Sequence, residues 1–288
     1  MNKFRTLSAA LLISTFSISS YAVDLDSGDY DAAPAGTNLA LLYLQHANRD
    51  KLYSGSHKVA GENELTSNVG IARFVHYTDI AGYRVAPQIL IPFGQLEADK
   101  DISSWGSSSG LGDLILAAPI WLLNDTDKKQ YFGISPYLYL PTGEYSKHDA
   151  LNLGENRYKL NLQAAFSTRI IPQFAWDVAA DATIYGDNDD LAGGGKLKQD
   201  LGYQLQTSGR YFLNEKADLR AGLSYSDAGD TEVRGVDADS TTQSKFWLGG
   251  AYSPTATTNL LLTYGRDIDV ENGFKEDNRV NFRFLKVF

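Results

Sequence analysis

The chain of 288 residues has no cysteine, four histidines and a single methionine, which is its first residue. The missing cysteine excludes a disulfide framework, a thiolate metal site and a thiol nucleophile. So few histidines leave little for imidazole-based metal chemistry, and neither a metal nor a cofactor is expected. A net charge of -9 argues against a general nucleic-acid binder. Long apolar runs are also scarce. Beyond the N-terminus the best is Leu111–Leu123, which is too short for a spanning helix and contains Asp113. No G-x-S-x-G elbow is present. Gly193-Gly194-Gly195-Lys196 lacks the phosphate-loop spacing, and the acidic run Asp187–Asp190 lacks EF-hand spacing. No enzyme is expected.

What is present begins with an address. Lys3 and Arg5 precede the apolar stretch Leu7–Ile18, and Ser20-Tyr21-Ala22 is a small-x-small cleavage site. Residues 1–22 therefore read as a secretory signal peptide cleaved after Ala22. Past that point the pattern has period two. Tyr158-Leu160-Leu162-Ala164-Phe166 alternates with Lys159-Asn161-Gln163-Ala165-Ser167, and similar rows run through 174–186, 199–213, 217–227 and 242–253. Alternation over about ten residues gives each strand one oily and one wet face. Aromatics start or end many apolar rows, and short connectors alternate with long polar ones. Both are habits of outer-membrane barrels. The expected fold is an all-β, antiparallel up-and-down transmembrane barrel of about 12 strands over residues 38–288. A segment 23–37 precedes it, either plugging the lumen or trailing in the periplasm. The first short turn is expected at Thr78-Asp79. In the second strand, Arg73 and His76 leave the inward face undecided. The terminal Phe288, after alternating Phe282 and Phe284, reads as an insertion signal for the barrel-assembly machinery.

The polar rows must line the lumen, because lipid cannot satisfy them. The expected lining is Arg84, Gln88, Asp113, Lys159, Asn161, Gln163, Asp177, Asp181, Gln204, Gln206, Arg210, Arg220, Lys245 and Arg283, with inward aromatics Trp121, Tyr131, Tyr137, Tyr139 and Trp247. These charges either serve solutes or pair across the lumen, since unpaired buried charge is expensive. Pro87, Pro92, Pro119 and Pro136 fall inside strands, where proline cannot donate to the ladder. They mark either simple bends or a candidate lateral opening toward lipid.

A family comes into view from four motifs in order: Asp29–Asn38 ahead of Leu39–His46, then Gly110–Leu114, Leu140–Tyr145 and Asn152–Asn156. Together these resemble the outer-membrane proteins of the MetA pathway of phenol degradation, across nearly the whole mature chain. The resemblance implies a monomeric twelve-stranded barrel admitting small hydrophobic or aromatic compounds. The expected function is passive uptake of such molecules across a bacterial outer membrane, among lipid and lipopolysaccharide. A general hydrophilic porin and a plugged structural or adhesive barrel are the alternatives.

Overall fold

The computed structural model describes residues 25–191 and 193–288, so the signal peptide expected at 1–22 lies outside the described residues. Twelve antiparallel strands close on themselves. They are β1 (Asn38–Arg49), β2 (Asn63–His76, continued by Thr78–Ile80), β3 (Tyr83–Val85 and Gln88–Lys100) and β4 (Ser107–Leu111, Leu114–Ala117 and Ile120–Asp125). Then come β5 (Gln130–Leu140), β6 (Lys159–Ile171), β7 (Phe174–Tyr185), β8 (Gly202–Asn214), β9 (Ala217–Asp227), β10 (Thr242–Thr255), β11 (Thr258–Glu271) and β12 (Asn278–Val287). Each pairs with its sequence neighbour, and β12 returns to β1 in a ladder from Leu39↔Val287 to Asn48↔Asn278. Closure leaves no unpaired edge, which is what allows a sheet to sit in lipid.

The outer surface bears Leu42, Leu44, Phe74, Leu116, Leu138, Leu160, Leu162, Leu205, Leu223, Leu248 and Leu262, all exposed. A continuous apolar face of this extent suits hydrocarbon and not water. Tyr203 and Tyr225 meet at its long-loop rim, with ring centroids 6.1 Å apart, and Trp176, Tyr211 and Tyr252 lie toward the short-turn end. His46 and His76 also point outward, bonded at 2.8 Å to Asn68 and Asn38.

Two expectations need correction. The first short turn is at Ala81-Gly82 and not Thr78-Asp79, because Thr78–Ile80 and Tyr83–Val85 extend the hairpin. Both turn residues take positive φ, 52° and 85°, as a tight hairpin demands. Only the glycine signalled it. The long loops are also more structured than polar connectors. Lys51–Ser54 pairs with Phe274–Lys275, and Leu197–Gln199, Thr231–Val233 and Val236–Ala238 form a small sheet. They have apolar clusters of their own to bury, one around Leu52, Leu96, Leu151, Leu153 and Phe274, the other Leu191, Leu197 and Val233.

The undecided face of β2 is set by its neighbours. Leu65, Ser67, Ile71, Arg73 and Val75 point inward, and Phe74 and His76 outward. This inward row is mainly apolar, with Asn63, Ser67 and Arg73 as its polar members, so the usual wet-inside pattern is weak there.

Candidate functional site

The lumen has two tiers. In the half nearest the short turns, the chain from Leu25 to Thr37 runs inside the barrel. Small residues make room for it. Gly133, Ala165 and Ala179 face one another across β5, β6 and β7, and the Tyr30 ring fills the notch they leave. A Cβ on Gly133 would stand 3.0 Å from that ring, so a side chain here would press the ring back by a few tenths of an ångström. Trp121 closes over Tyr30 with ring centroids 6.1 Å apart and donates from Nε1 to the Tyr30 carbonyl at 2.8 Å. The Tyr30 hydroxyl bonds Ser135 and donates to Gln163.

Charge fixes the same segment. Asp29 bridges two guanidiniums, with Oδ2 accepting from Arg73 and Oδ1 from Arg283, both at 3.1 Å. Asp26 also binds Arg283, at 2.9 Å. Asp31 takes a two-point grip from Arg210 at 2.8 and 3.1 Å. Ser27 donates to Asp177 at 2.7 Å and lies 2.9 Å from the Ser208 hydroxyl. Arg220 donates to the Ser27 carbonyl at 2.6 Å, and Arg84 to that of Ala33. A gap of about 10 Å³ beside Tyr30, Arg73 and Trp121 has room for one water at most.

Above the segment opens a cavity of about 540 Å³. Its floor includes Asp26, Tyr43, Arg73 and Arg283; its sides include Ile71, Leu90, Ile115, Tyr139 and Leu261; its upper rim includes Leu65, Leu96, Leu151, Leu153 and Phe274. The volume suits a small organic molecule; beside the apolar side chains the lining carries charge from Arg49, Asp113, Glu155, Lys245, Glu276 and Arg279. The loop between β5 and β6 folds into the mouth. Asp113 holds it, accepting from the backbone N–H of Gly143 at 3.0 Å and of Glu155 at 2.9 Å. Glu155 is buried, yet its carboxyl sits below the usual range. Burial alone would raise it, but Lys159 and Arg157 outweigh that, both bonded to it. The Lys159 ammonium also lies 4.4 Å from the Tyr139 ring centre.

The candidate lining residues divide between the tiers. Arg84, Gln88, Trp121, Tyr131, Tyr137, Gln163, Asp177, Arg210, Arg220 and Arg283 surround the inner segment. Asp113, Tyr139, Lys159 and Lys245 line the cavity. Gln163, Asp181 and Gln204 form one cross-strand row with Ser135. Trp247 faces inward over Gly222 of the neighbouring strand. The sequence reading passed over Tyr43, Arg73, Glu155 and Arg157, and over the acids of the inner segment. Three acids at 26, 29 and 31 ahead of a barrel rich in inward arginine were the available signal.

Strand pairing resumes in register on both sides of Pro87, Pro119 and Pro136, although the strands break briefly at Ala86-Pro87 and Ala118-Pro119. The backbone N–H groups of His76, Ala86 and Ala118 donate to the carbonyls of Pro87, Pro119 and Pro136 at 3.0, 2.9 and 3.3 Å. The register is the same on either side of each. At Pro92 the pairing shifts by one residue at Gly112-Asp113, but Gly112 still donates to the Pro92 carbonyl at 2.9 Å. Phe288 is exposed at the short-turn end and donates its N–H to the Asn38 carbonyl.

A closed twelve-stranded barrel with an apolar belt and a polar lumen is an outer-membrane β-barrel. Residues 47–284 match the family described as "Putative MetA-pathway of phenol degradation", and the chain belongs to that family. It is 39% identical to the COG4313 outer membrane channel from Pseudomonas putida F1, over 92% of this chain and 100% of that one, with a TM-score of 0.87. This places it in the bacterial outer membrane. More distant barrels share the fold alone. The translocator domain of the autotransporter NalP from Neisseria meningitidis is 11% identical over 90% of each chain (TM-score 0.52). A deletion mutant of the TodX monoaromatic hydrocarbon channel is 11% identical over 91% of each (TM-score 0.50). No curated protein sequence gives a significant match.

Proposed function

We propose that this barrel is a passive channel for small hydrophobic or aromatic molecules, working as a monomer and gated from within by residues 25–37. The supporting observation is the pairing of a 540 Å³ cavity, lined by apolar and charged side chains together, with a stoppered passage beneath it. Solute enters between the long loops and dwells in the cavity by weak contacts. It leaves to the periplasm when the inner segment swings aside. Weak dwelling matters, because conduction fails if binding is too tight to release. The role of TodX, a channel for monoaromatic hydrocarbons by name, is consistent with this solute class. No catalytic step is assigned to any residue.

The stopper itself favours one rival reading, a permanently plugged structural barrel. The mature protein in proteoliposomes separates them. Influx of a small aromatic above that of empty liposomes, with a small sugar excluded, supports the gated channel. Equal entry of the sugar means an aqueous porin, and no influx of either means a permanent plug. A lateral exit past Pro87, Pro92, Pro119 and Pro136 is the subsidiary route. Replacing all four with valine leaves uptake unchanged if the inner segment is the only gate.

A further inference from the structure

We infer that the preferred solute is a monoaromatic carboxylate, which binds Arg73 and Arg283 in place of the carboxylates of the inner segment and so releases it. This rests on the gated-channel reading. The two guanidiniums share the cavity floor, and their wall partners are all neutral. Arg73 is held by Gln88 at 2.6 Å and Tyr43 at 3.0 Å, and Arg283 by Asn259 at 3.2 Å. Every carboxylate bonded to them, Asp26 and Asp29, comes from the inner segment and not from the barrel. The negative charge that balances this site is therefore detachable, while the positive charge is built in.

The surroundings select a ring. In cross-strand register Arg73 faces Leu90, which faces Ile115, which faces Tyr139. Arg283 faces Leu261 on one side and Tyr43 on the other. An apolar arc thus runs at the level of the arginine pair, so a carboxylate seated on the pair brings its ring against aliphatic and aromatic side chains. A neutral hydrocarbon leaves the Asp29 bridge intact. A simple anion gains nothing from the arc. Two-point binding of carboxylate to guanidinium is among the stronger hydrogen-bonded contacts and suits arginine.

The experiment uses the mature chain, with calorimetric titration in micelles and conductance in planar bilayers. Benzoate, benzyl alcohol and acetate are the probes. Benzoate is expected to bind at least about tenfold more tightly than either other probe and to raise conductance. Asp29→Asn, which keeps both arginines and removes the one carboxylate that bridges them, is expected to conduct without ligand and to bind benzoate about tenfold more tightly, the equivalent of ~1.4 kcal/mol. Arg73→Gln and Arg283→Gln should each abolish the preference for benzoate over benzyl alcohol. Equal binding of benzyl alcohol overturns the carboxylate preference and leaves the aromatic channel standing. Equal binding of acetate overturns ring recognition. Weaker benzoate binding by Asp29→Asn overturns competition, since the aspartate would then be helping the ligand. If Asp29→Asn conducts under no condition, the gated-channel reading falls with it.

Discussion

The two halves of the lumen solve the same problem in opposite ways. Both carry charge inside a low-dielectric shell, and in both the charge is paired. In the periplasmic half the arginines Arg73, Arg210 and Arg283 project from three separate strands, and their partners Asp26, Asp29 and Asp31 arrive on a separate stretch of chain. In the half under the long loops the pairs join barrel strands and loops to one another: Glu155 with Arg157 and Lys159, Glu276 with Arg279 and Arg49, and Asp277 with Lys51. Pairing among strands and loops of the barrel does not depend on where the inner segment lies. Pairing between wall and inner segment breaks as soon as that segment moves. The lesson is that the upper charges build a wall and the lower ones build a latch.

The sharpest way to break this contrast is to remove the latch's freedom. Ser27 and Ser208 have hydroxyls 2.9 Å apart, and the protein contains no other cysteine to interfere. Ser27→Cys with Ser208→Cys should form a disulfide across the gap. Solute flux in the oxidised protein should then fall to the level of empty liposomes and return on reduction. Flux that persists in the oxidised form would show that the inner segment is no gate. The next largest effect comes from weakening the latch. Asp29→Asn with Asp31→Asn leaves Arg73 and Arg210 without their inner-segment carboxylates. Losing charge-assisted bonds of this kind costs about 1.5–3 kcal/mol each. The open probability in planar bilayers should rise by roughly tenfold to a hundredfold.

The upper tier predicts a different response. Glu155→Gln leaves Arg157 and Lys159 buried beside a neutral amide, and breaking a buried pair costs about 3 kcal/mol. The loop between β5 and β6 should exchange amide hydrogen faster, with little change in basal conductance. The pH sense follows from the lowered carboxyl of Glu155. Because its folded value is below its unfolded one, its contribution is fully present above the ordinary glutamate range. It is lost as pH falls through the lowered value. Loop protection should therefore persist on acidification to about pH 4.5 and fade below it, and the Gln variant should lose that dependence.

The barrel was legible because lipid and lumen impose a period of two, which the strands from β5 to β12 keep over most of their length, with a bulge at Ile268 of β11. The exceptions have physical causes. β2 was ambiguous because its inward face packs against the inner segment at Val75, the loop cluster at Leu65 and an apolar patch of the wall at Ile71, so these residues stand where a wet lumen would place polar ones. The inward arginines were readable as lumen residues, but their partners were not. Residues 25–37 have no periodicity, and nothing local in Asp29 says it will meet Arg283, 254 positions away. The cavity was equally invisible, since its rim comes from loops whose polar composition hides Leu151, Leu153 and Phe274.

One residue type ties wall to latch without any charge. Gly133 exists as a gap for the Tyr30 ring, and a methyl there would also stand 3.0 Å from the Ile120 carbonyl. Gly133→Ala should therefore push the ring outward by a few tenths of an ångström while leaving every ion pair in place. Overpacking of this size costs about 1 kcal/mol. Basal conductance should rise by only about fivefold, and Trp121, which covers Tyr30, should report the shift in its fluorescence. Tyr30→Phe on the same background removes the hydroxyl bonded to Ser135 and Gln163. If the ring is held mainly by its fit against Gly133, Ala165 and Ala179, that second change adds little to the first. If the hydroxyl dominates, Tyr30→Phe alone should loosen the latch more than Gly133→Ala. The comparison of the two single variants therefore measures how much of the closed state is shape and how much is polar bonding.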